Sequence, residues 1–395
     1  MTSENKGIVL HVITRLIKGG ADANTITSCL GLCDRKWDVT LVIGKHYTYN
    51  IDYLRQKGIR VIVVDELVRP ISPIKDLKSF FRLIGICRYV KPDIVHTHTA
   101  KAGIVGRLAA MVAKVPYIVH SIHGSPVDSM ENFLKKRVFS CIEKFATRYT
   151  DYFIAVGQEI YTKYCDQIGI KKPGCCNIVR SAFNTEKFAE SHKYRVRKRD
   201  EFGLQDTDIA VGIVGRVAQQ KGYEYFAEVC CYLAQTDYRF KFFSFGNKED
   251  QDYFLTINNL TATLGKRITF VGEVNYEEIP LCIAAMDIIV HTALWEGLPR
   301  SVAECLVANK PVVTFEVDGV KEIIKHGENG FIIKSGDTTG VAQAVLYLIS
   351  QGLDDFSERA KSLNQALFEE FKVDTMIKGI EDIYLGLVYP KAIQA

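Results

Sequence analysis

Several patterns that would assign a function at once are missing from this 395-residue sequence. No apolar run reaches the roughly 18 residues of a membrane-spanning helix. No Cys-x-x-Cys pair is present to hold structural zinc, so the eleven cysteines are interpreted as reduced thiols. The Gly-x-Gly-x-x-Gly and P-loop patterns are absent, which argues against a dinucleotide-dependent dehydrogenase and a P-loop nucleotidase. The amino-terminal residues lack the design of a cleavable signal, and we therefore expect a cytoplasmic protein.

Charge is unevenly distributed between the two halves of the chain. Residues 1–185 hold 27 lysines and arginines against 15 aspartates and glutamates, whereas residues 186–395 hold 23 against 31. The first half is thus positive and the second half negative. Such a split favours an anionic partner for the first half, with a chance distribution of solvated charge as the alternative.

Short β-branched runs alternate with amphipathic stretches along most of the sequence. The runs are almost continuously apolar, as expected of parallel strands buried on both faces. Strands are predicted at 7–13, 38–43, 59–64, 93–96, 116–120 and 152–156, and then at 209–214, 239–245, 268–271, 287–291, 311–315 and 330–333. Helices are predicted between them and in a final stretch at about 355–387. This alternation predicts an α/β protein of two doubly wound, Rossmann-like domains facing each other across a cleft.

The polar, basic stretch at 189–208 indicates a nearby junction between the two series. We place the first domain at 1–185, the second at 186–372, and a final helical segment at 373–395 that packs back toward the first domain. Ligands of doubly wound sheets bind beyond the carboxyl ends of the strands. Functional residues are therefore expected in the loops that follow strands.

Two such loops carry residues suited to phosphate. Gly19 and Gly20 precede a predicted helix, where small residues let backbone amides approach an anion, although an ordinary tight turn explains the pair equally well. In the second series, Arg216 ends a strand and Lys221 precedes Gly222 at the next helix. A guanidinium fork and a point charge in one loop suit a diphosphate, with solvated surface charge as the alternative.

Two carboxylates, Glu296 and Glu304, lie in the stretch ALWEGLPRSVAECL. A helix predicted to begin near Pro299 puts Glu296 in the turn after a strand and Glu304 in the second helical turn. Both can face one strand end, where carboxylates pair well with adjacent sugar hydroxyls. The amides of Gly297 and Leu298 can bind hydroxyls or phosphate there. The alternative is a capping glutamate and a surface glutamate.

These motifs together resemble the retaining glycosyltransferases of family 4, which have the GT-B fold. The most specific element is Glu-x7-Glu at 296–304, followed by Gly-Arg-x4-Lys-Gly at 215–222 and the weaker Lys-Gly-Gly at 18–20. The blocks VKPDIVHTHTAKAGIVGRLAA (90–110) and IVHSIHGSP (118–126) are similar to those of enzymes that build bacterial capsular, O-antigen or exopolysaccharide chains. The resemblance covers nearly the whole chain.

The resemblance implies transfer of a sugar from a nucleotide sugar, most simply a UDP-sugar, to a hydroxyl of a glycan or polyprenyl-diphosphate-linked glycan. It implies no cofactor, no metal and no nucleic-acid partner. It makes 1–185 the acceptor-binding domain and 186–372 the nucleotide-sugar-binding domain. The implied catalytic residues are His123 and Glu296, the donor-binding residues are Gly20, Arg216, Lys221, Val274, Gly297, Leu298 and Glu304, and the acceptor-side residues are His98 and Lys101.

The histidines need separate weighing. His123 directly follows a predicted strand, as a site residue should, and a satisfied core histidine is the alternative. The spacing of His96, His98 and His120 suggests a metal site, but strand alternation is expected to turn neighbouring side chains to opposite faces. No Asp-x-Asp stands at the end of a predicted strand either. We therefore predict no metal.

The expected mechanism is departure of the diphosphate from the front face of the sugar, with the diphosphate itself accepting the acceptor's proton. Arg216, Lys221 and helix-start dipoles would stabilise the leaving group. Whether Glu296 acts as a nucleophile or only positions the donor stays open. A nucleotide-sugar epimerase of the same fold and a nucleotide-sugar-binding protein without catalysis are the alternatives.

Two further segments carry expectations. The family usually has Asn-Gly-x-Asp-x3-Phe where the chain crosses between domains, whereas this chain has SAFNTEKF at 181–188. Asn184 replaces the acid and is expected to cap or turn through its side chain. The basic amphipathic segments 72–91 and 134–149 favour contact with an anionic membrane, at the inner face of the cell membrane, with ordinary sheet-covering helices as the alternative.

Overall fold

The computed structural model describes residues 5–17, 19–124, 132–169, 175–248 and 250–390. Lys18 of the Lys-Gly-Gly motif, residues 125–126 of the second histidine block and the last five residues of the predicted 373–395 segment lie outside this range. The chain divides into two units. Unit 1 comprises Met1–Ala182 and Val373–Ala395, and unit 2 comprises Phe183–Lys372.

Strands and helices alternate as the sequence pattern predicts. The strands are β1 Ile8–Ile13, β2 Asp38–Gly44, β3 Arg60–Val64, β4 Ile94–His98, β5 Tyr117–Ile122, β6 Tyr152–Ala155, β7 Cys176–Ile178, β8 Ile209–Val214, β9 Phe240–Phe245, β10 Ile268–Gly272, β11 Ile288–His291, β12 Val312–Phe315 and β13 Gly330–Ile333. The helices are α1 Gly20–Asp34, α2 Ile51–Gln56, α3 Pro73–Val90, α4 Ala100–Ala113, α5 Phe133–Thr147, α6 Gln158–Ile168, α7 Thr185–Ala189, α8 Arg195–Glu201, α9 Tyr223–Thr236, α10 Gln251–Leu260, α11 Ile279–Ala285, α12 Arg300–Val307, α13 Thr338–Ser350, α14 Leu353–Glu370 and α15 Val373–Val388. All twelve predicted strands are observed, and the structure adds β7.

The described residues of each unit form one parallel sheet. In unit 1 the strand order is β3-β2-β1-β4-β5-β6-β7, and in unit 2 it is β10-β9-β8-β11-β12-β13. The order reverses between β1 and β4 in the first sheet and between β8 and β11 in the second. These are the switch points at which doubly wound sheets bind ligands. The predicted fold of two doubly wound, Rossmann-like domains is confirmed.

Alternation along β1 shows why all of its residues except His11 are apolar. Val9 and Ile13 pack into the cluster that also contains residues of α1 and α15. Leu10 and Val12 pack into a second cluster with residues of α3 and α4. Because side chains alternate across a strand, a sheet covered by helices on both faces needs apolar residues on both faces of its strands.

Helix α15 is part of unit 1, although it follows unit 2 in sequence. It packs against α1, and Glu381 on it accepts hydrogen bonds from Lys6 (2.8 Å), Arg35 (2.8 Å) and the Trp37 indole (3.1 Å). The single helix predicted at about 355–387 is therefore wrong. It is two helices, interrupted around Phe371 where the chain leaves unit 2.

The charged stretch at 189–208 belongs to unit 2 and includes α8. Arg195 and Arg199 both form ion pairs with Asp287, and Arg199 is buried. The charges therefore anchor this stretch to its own unit. Upstream, the Asn184 side chain accepts a hydrogen bond from the Lys187 amide (3.1 Å) and caps α7, which confirms the capping role predicted for it.

None of the described helices combines the length and the apolar character needed to cross a membrane. All eleven cysteines are free thiols, and five of them are buried.

Candidate functional site

The switch point of unit 2 brings together the two loops that the sequence singled out. The Lys221 loop (residues 215–222) follows β8, and the Glu296 loop (residues 292–299) follows β11, the neighbouring strand. The Thr292 hydroxyl donates to the Lys221 carbonyl (3.1 Å). Gly222 has a φ of +59°, and a Cβ there would lie 2.2 Å from the Thr292 carbonyl oxygen. Glycine is required at this position because both the backbone conformation and the close approach exclude a side chain.

Lys221 and Glu296 form an ion pair across these loops. Their side chains are largely buried, with 16% and 13% of their surfaces exposed. His291 at the end of β11 lies beside the pair, with its Nε2 3.7 Å from the Glu296 carboxylate, and its Nδ1 is bonded to Thr314 (3.0 Å). The loops therefore hold a fixed carboxylate and a fixed ammonium at the carboxyl edge of the sheet.

The protonation state of Glu296 follows from this environment. Burial by itself raises the pKa of the carboxyl group, but Lys221 and then His291 outweigh it, and the pKa falls to about 2. Burial lowers the pKa of His291. Glu296 is consequently an anion throughout the physiological range. It can accept hydrogen bonds from hydroxyl groups but carries no proton to donate.

Glu304 lies in the second turn of α12, as predicted, and is buried. Its Oε1 accepts hydrogen bonds from Tyr276 Oη (2.7 Å) and from Arg300 Nε (2.8 Å). Burial raises the pKa of the Tyr276 hydroxyl, and the neighbouring Glu304 raises it further. Since both bonds end on Oε1, they orient the carboxylate and leave Oε2 as the oxygen suited to a ligand's hydroxyls.

The remaining residues predicted for donor binding lie in loops of the same unit. Arg216 directly follows β8 and Gly215, and it is half-buried. Gly297 and the buried Leu298 precede α12 in the Glu296 loop. Val274 lies two residues beyond the end of β10 and is half-buried.

In unit 1 the predicted residues fall around the other switch point. Gly20 is the first residue of α1, and the space around it would admit a Cβ without contact. Lys101 near the start of α4 forms an ion pair with Asp76 on α3 (2.6 Å) and also donates to the Pro70 carbonyl. His98 is the last residue of β4 and is fully buried. The Lys101 side chain therefore links α4 to α3 through its ion pair with Asp76.

His123 directly follows β5 and contacts His98. Its Nε2 lies 3.2 Å from His98 Nδ1, and His98 Nε2 lies 2.9 Å from His11 Nδ1. Tyr384 Oη of α15 lies 3.4 Å from His11 Nε2 and 2.6 Å from His96 Nδ1. These residues form one connected group of rings that extends from the carboxyl edge of the unit 1 sheet, at His98 and His123, back to His11 and His96 inside β1 and β4.

The alternation argument used against a histidine cluster is wrong for His96 and His98. They are two residues apart on one strand and therefore share a face, with ring centroids 4.2 Å apart. Nitrogen atoms of His11, His96 and His98 all lie within 4.8 Å of one another, a spacing that could hold a metal ion. His120 on β5 is in register with Thr97, which lies between His96 and His98 on β4 and therefore points to the other face of the sheet. His120 Nδ1 hydrogen-bonds to the Thr97 hydroxyl (2.9 Å) instead.

Several of these partners carried only weak sequence signals. His11 interrupts the apolar run GIVLHVI, and a polar ring in a strand buried on both faces is an observable cue. Arg300 stands four residues before Glu304, which is the spacing of a helical ion pair. Nothing in the local sequence distinguishes Tyr276 and Tyr384 from other tyrosines, because their hydrogen-bond partners are distant in sequence.

The buried histidines predict acid sensitivity of unit 1. Burial lowers the pKa of His11 to about 3 and lowers the pKa values of His96, His98 and His120 well below the ordinary value. Below an unfolded-state pKa of about 6.5, the unfolded chain takes up protons that the folded chain does not. Stability is therefore complete above that pH and falls by about 1.4 kcal/mol per pH unit for each such ring as the pH drops toward the folded-state values.

Urea unfolding at several pH values tests this expectation. The chain has two tryptophans, so a Trp295→Phe background leaves Trp37 to report on unit 1. The midpoint should fall steadily from neutral pH into mild acid at an unchanged m-value. A midpoint that is constant over this range would contradict the burial of neutral rings.

The two Rossmann-like units, with cationic and carboxylate-bearing loops at a switch point, are the architecture of the GT-B class. Solved structures agree with this fold. A crystal structure of Anabaena Alr3699/HepE in complex with UDP-glucose superposes with a TM-score of 0.79 at 22% identity and covers 96% of this chain and 99% of that one. The lipopolysaccharide glycosyltransferase WaaG gives a TM-score of 0.73 at 15% identity, with coverage of 95% and 99%.

Sequence comparisons identify the family. The family described as "Glycosyl transferase 4-like" matches residues 16–157, and "Glycosyl transferases group 1" matches residues 195–366. A putative glycosyltransferase, EpsD of Bacillus subtilis (strain 168), is 30% identical over 288 residues, which is 70% of this chain and 72% of that protein. This chain therefore belongs to the group 1, family 4-like glycosyltransferases, and the predicted family is confirmed.

A second relative matches along its full length. The UDP-Gal:alpha-D-GlcNAc-diphosphoundecaprenol alpha-1,3-galactosyltransferase of Escherichia coli is 27% identical over 397 residues, 99% of this chain and 100% of that protein. An N,N'-diacetylbacillosaminyl-diphospho-undecaprenol alpha-1,3-N-acetylgalactosaminyltransferase of Campylobacter jejuni is 24% identical and covers 80% and 83%. The chain is thus similar to transferases whose names specify lipid-diphosphate acceptors.

Proposed function

We propose that this glycosyltransferase moves a sugar from a UDP-sugar to a hydroxyl of a polyprenyl-diphosphate-linked glycan, in the synthesis of a bacterial surface polysaccharide. The transfer retains the anomeric configuration and needs no metal ion. The observation that carries the donor half of this proposal is the paired Lys221 and Glu296 at the unit 2 switch point, with Glu304 oriented by Arg300 and Tyr276.

Each part of a nucleotide sugar has a suitable partner among these groups. The Lys221 ammonium and the Arg216 guanidinium suit the diphosphate, whose negative charge grows as the sugar departs. Glu304 suits the vicinal hydroxyls of ribose, and Glu296 suits hydroxyls of the sugar. Cations fixed in a partly buried loop can supply the charge stabilisation for which other transferases use a divalent metal.

The acceptor half rests on the relatives and on the surface of unit 1. The Escherichia coli and Campylobacter jejuni relatives are both named for undecaprenol diphosphate acceptors. Donor binding is tested by calorimetry with UDP-, GDP- and dTDP-sugars, followed by turnover in the presence of EDTA with GlcNAc-diphosphoundecaprenol, the acceptor in the name of the Escherichia coli relative. Proton NMR of the new linkage reports retention. Conversion of the nucleotide sugar without acceptor, or activity restored only by added metal, would contradict the proposal.

Glu296→Gln distinguishes a positioning carboxylate from a nucleophile. Glutamine keeps the shape and the hydrogen-bond acceptor but not the charge, and it also releases Lys221 from its ion pair. In a positioning role the variant should keep measurable transfer, with losses of about 10–100-fold, because bound hydroxyls lose only a charge-assisted bond.

Steady-state kinetics and intact-protein mass spectrometry measure the two outcomes. A glycosylated wild-type protein observed with donor alone, and absent in Glu296→Gln, would show covalent catalysis and overturn front-face departure. Glu316→Gln is a matched control, since Glu316 is an exposed glutamate of the same unit that is also paired with a lysine.

Helix α5 presents an exposed apolar stripe on unit 1. Leu134 is 68% exposed, and Val138, Ile142 and Phe145 continue the stripe at helical spacing. On α3, Phe81 is 61% exposed. Exposed basic side chains accompany these stripes: Lys75, Lys78, Arg82 and Arg88 on α3, and Arg137 and Lys144 on α5. Apolar residues flanked by cations suit the surface of an anionic bilayer, where a lipid-linked acceptor resides.

Vesicle flotation tests this membrane contact. The protein should float with vesicles containing anionic lipid at low salt, and much less with neutral vesicles or at high salt, since each basic residue contributes about 1 kcal/mol. A Leu134→Ser/Val138→Ser variant should lose most of the binding. The matched control is Leu255→Ser/Leu260→Ser, which replaces exposed leucines of α10 in unit 2. Equal flotation of both variants, or none of the wild type, would refute membrane contact through α5.

A further inference from the structure

The ring cluster of unit 1 forms a linear chain of hydrogen bonds. It runs from His123 Nε2 to His98 Nδ1 (3.2 Å), from His98 Nε2 to His11 Nδ1 (2.9 Å) and from His11 Nε2 to Tyr384 Oη (3.4 Å). It continues from Tyr384 Oη to His96 Nδ1 (2.6 Å) and ends between His96 Nε2 and Ser121 Oγ (2.7 Å). At the other end, His123 Nδ1 is buried and has no hydrogen-bond partner among the residues that the structure describes.

Within the three directly linked rings His123, His98 and His11, such a chain can have only two directions. A neutral imidazole carries one proton, so a ring that donates from one nitrogen must accept at the other. Burial lowers the pKa values of His11, His96, His98 and His123 and keeps these rings neutral. Choosing the donor at any one contact of these three rings therefore sets the tautomers of all three, and the Tyr384 hydroxyl, which has a single proton to donate, connects them to His96. In one direction His123 Nδ1 is a bare acceptor, and in the other it is an N–H donor.

The two contacts of Tyr384 select the direction. Hydroxyl groups donate over shorter distances than N–H groups do. The short contact of 2.6 Å to His96 identifies Tyr384 as the donor there, and the long contact of 3.4 Å fits a weak bond from His11 Nε2–H to the phenol oxygen. It follows that His11 accepts at Nδ1, that His98 donates from Nε2 and accepts at Nδ1, and that His123 donates from Nε2.

We propose that Tyr384 acts through this chain as a positioning residue that fixes His123 as the Nε2–H tautomer, leaving Nδ1 as the acceptor for a sugar hydroxyl of the substrate. The function of this arrangement in catalysis rests on the proposed glycosyl transfer, whereas the tautomer of His123 is a property of the free protein. A bare nitrogen accepts a hydrogen bond from a donor such as a hydroxyl group, and it cannot bond to a carbonyl or an ionised phosphate oxygen, which are themselves acceptors. The buried His123 Nδ1, which has no partner among the described residues, therefore assigns a hydrogen-bond donor of the ligand to this end of the unit 1 sheet, and in the proposed transfer that donor is a sugar hydroxyl.

The metal alternative uses the same nitrogens. An ion held by His11, His96 and His98 would have to displace the His11–His98 bond and change the protonation of these rings. In the structure both nitrogens of all three rings are already engaged in hydrogen bonds. The hydrogen-bonded chain thus accounts for the cluster completely, and metal binding would be an outcome against the proposal.

Long-range proton–nitrogen NMR of the full-length, histidine-labelled protein tests the chain without any turnover. In the wild type, His123, His98 and His96 should each show the pattern of a single Nε2–H tautomer. Tyr384→Phe removes the donor to His96 and the acceptor for His11, so His123 should become a mixture of tautomers. Tyr389→Phe is the matched control, because Tyr389 is an exposed tyrosine that bonds only the Lys6 carbonyl among the described contacts (3.0 Å).

The outcomes are separable from those of the transfer assay. An Nδ1–H tautomer of His123 in the wild type overturns the proposal, as does a His123 pattern unchanged by Tyr384→Phe. A stoichiometric cobalt(II) complex with the visible absorption of a nitrogen-ligated ion would also overturn it. If Tyr384→Phe does not fold, His96 in the wild type decides, because donation by Tyr384 requires the Nε2–H tautomer of His96 and an Nδ1–H tautomer overturns it.

The ligand is identified by additions to the same sample. A change in the His123 Nδ1 shift with UDP-galactose, but not with UDP, supports a hydroxyl of the donor sugar. A change with GlcNAc-diphosphoundecaprenol alone supports an acceptor hydroxyl. If calorimetry shows that these compounds bind but neither changes the His123 Nδ1 shift, the assigned ligand class is overturned. If the compounds do not bind at all, the proposed function is refuted, while the result on the His123 tautomer still stands.

Discussion

Replacing Lys221 by methionine is expected to lower kcat/KM for sugar transfer by about 100–1,000-fold, the typical loss when one fixed stabiliser of a developing charge is removed. Lys221 is held by its loop, with its carbonyl bonded to Thr292 and its ammonium paired with Glu296. Its charge is thus in place before the diphosphate departs. Methionine retains the length and the apolar contacts of the side chain but none of the charge.

The same variant should gain a pH dependence. Burial raises the pKa of Glu296, and in the wild type Lys221 outweighs that effect to give about 2. Without Lys221 the pKa must rise, so activity should fall further as the pH is lowered into the mildly acidic range. Kinetic profiles of the wild type and Lys221→Met measure this, and Lys361→Met, at an exposed ion pair of unit 2, is the control. Near-normal kcat/KM in Lys221→Met would exclude a role for this ammonium at the diphosphate.

Replacing Arg107 by methionine is expected to destabilise unit 1 by about 3–5 kcal/mol, because it leaves a buried carboxylate without its counter-ion. Arg107 on α4 and Glu143 on α5 are both buried and form an ion pair. Tyr164 on α6 donates to the same carboxylate, and Arg107 also donates to the Thr150 hydroxyl (3.2 Å). The group joins three helices on one side of the sheet.

The double variant Arg107→Met/Glu143→Met shows how much of the loss of stability in Arg107→Met comes from leaving the Glu143 carboxylate buried without a counter-ion. Apolar residues of similar volume often replace a buried ion pair at little cost, so the double variant should be more stable than Arg107→Met alone. Urea unfolding followed by Trp37 in the Trp295→Phe background gives both values. Arg137→Met, at an exposed position of α5, should change the unfolding free energy by no more than about 0.5 kcal/mol. A loss below 1 kcal/mol in Arg107→Met would mean that Glu143 finds another partner or becomes protonated.

The sheets could be predicted from the sequence because their strands are buried on both faces. Runs such as IAVGIV, the sequence of β8, recur between amphipathic stretches, and this pattern is typical of parallel strands covered by helices. Strand β7 was missed, since Cys-Asn-Ile is short and its middle residue is exposed. The break between α14 and α15 was also missed, because no glycine or proline marks it and the cause is the passage of the chain from one unit to the other.

For the candidate site, loop motifs were more informative than single residues. Glu296 and Glu304 could be placed correctly on a turn and a helix, because Pro299 marks where that helix begins. The ion pair of Glu296 with Lys221 joins residues 75 positions apart, and no local pattern reports it. The connection from His123 to Tyr384 needs four distant segments in register, so the sequence offered only the unusual histidine in β1 as a hint.

The position of α15 also bears on how the protein is made. Unit 2 is continuous in sequence and can complete its fold once its last residue has left the ribosome. Unit 1 cannot, because Met376, Ile377 and Ile380 of α15 belong to the buried cluster on one face of its sheet. The segment synthesised first therefore leaves part of that face, beside the residues contributed by α1 and α2, uncovered until α15 has been made. Although domains generally fold from the amino terminus onward, this chain can complete its second unit before its first.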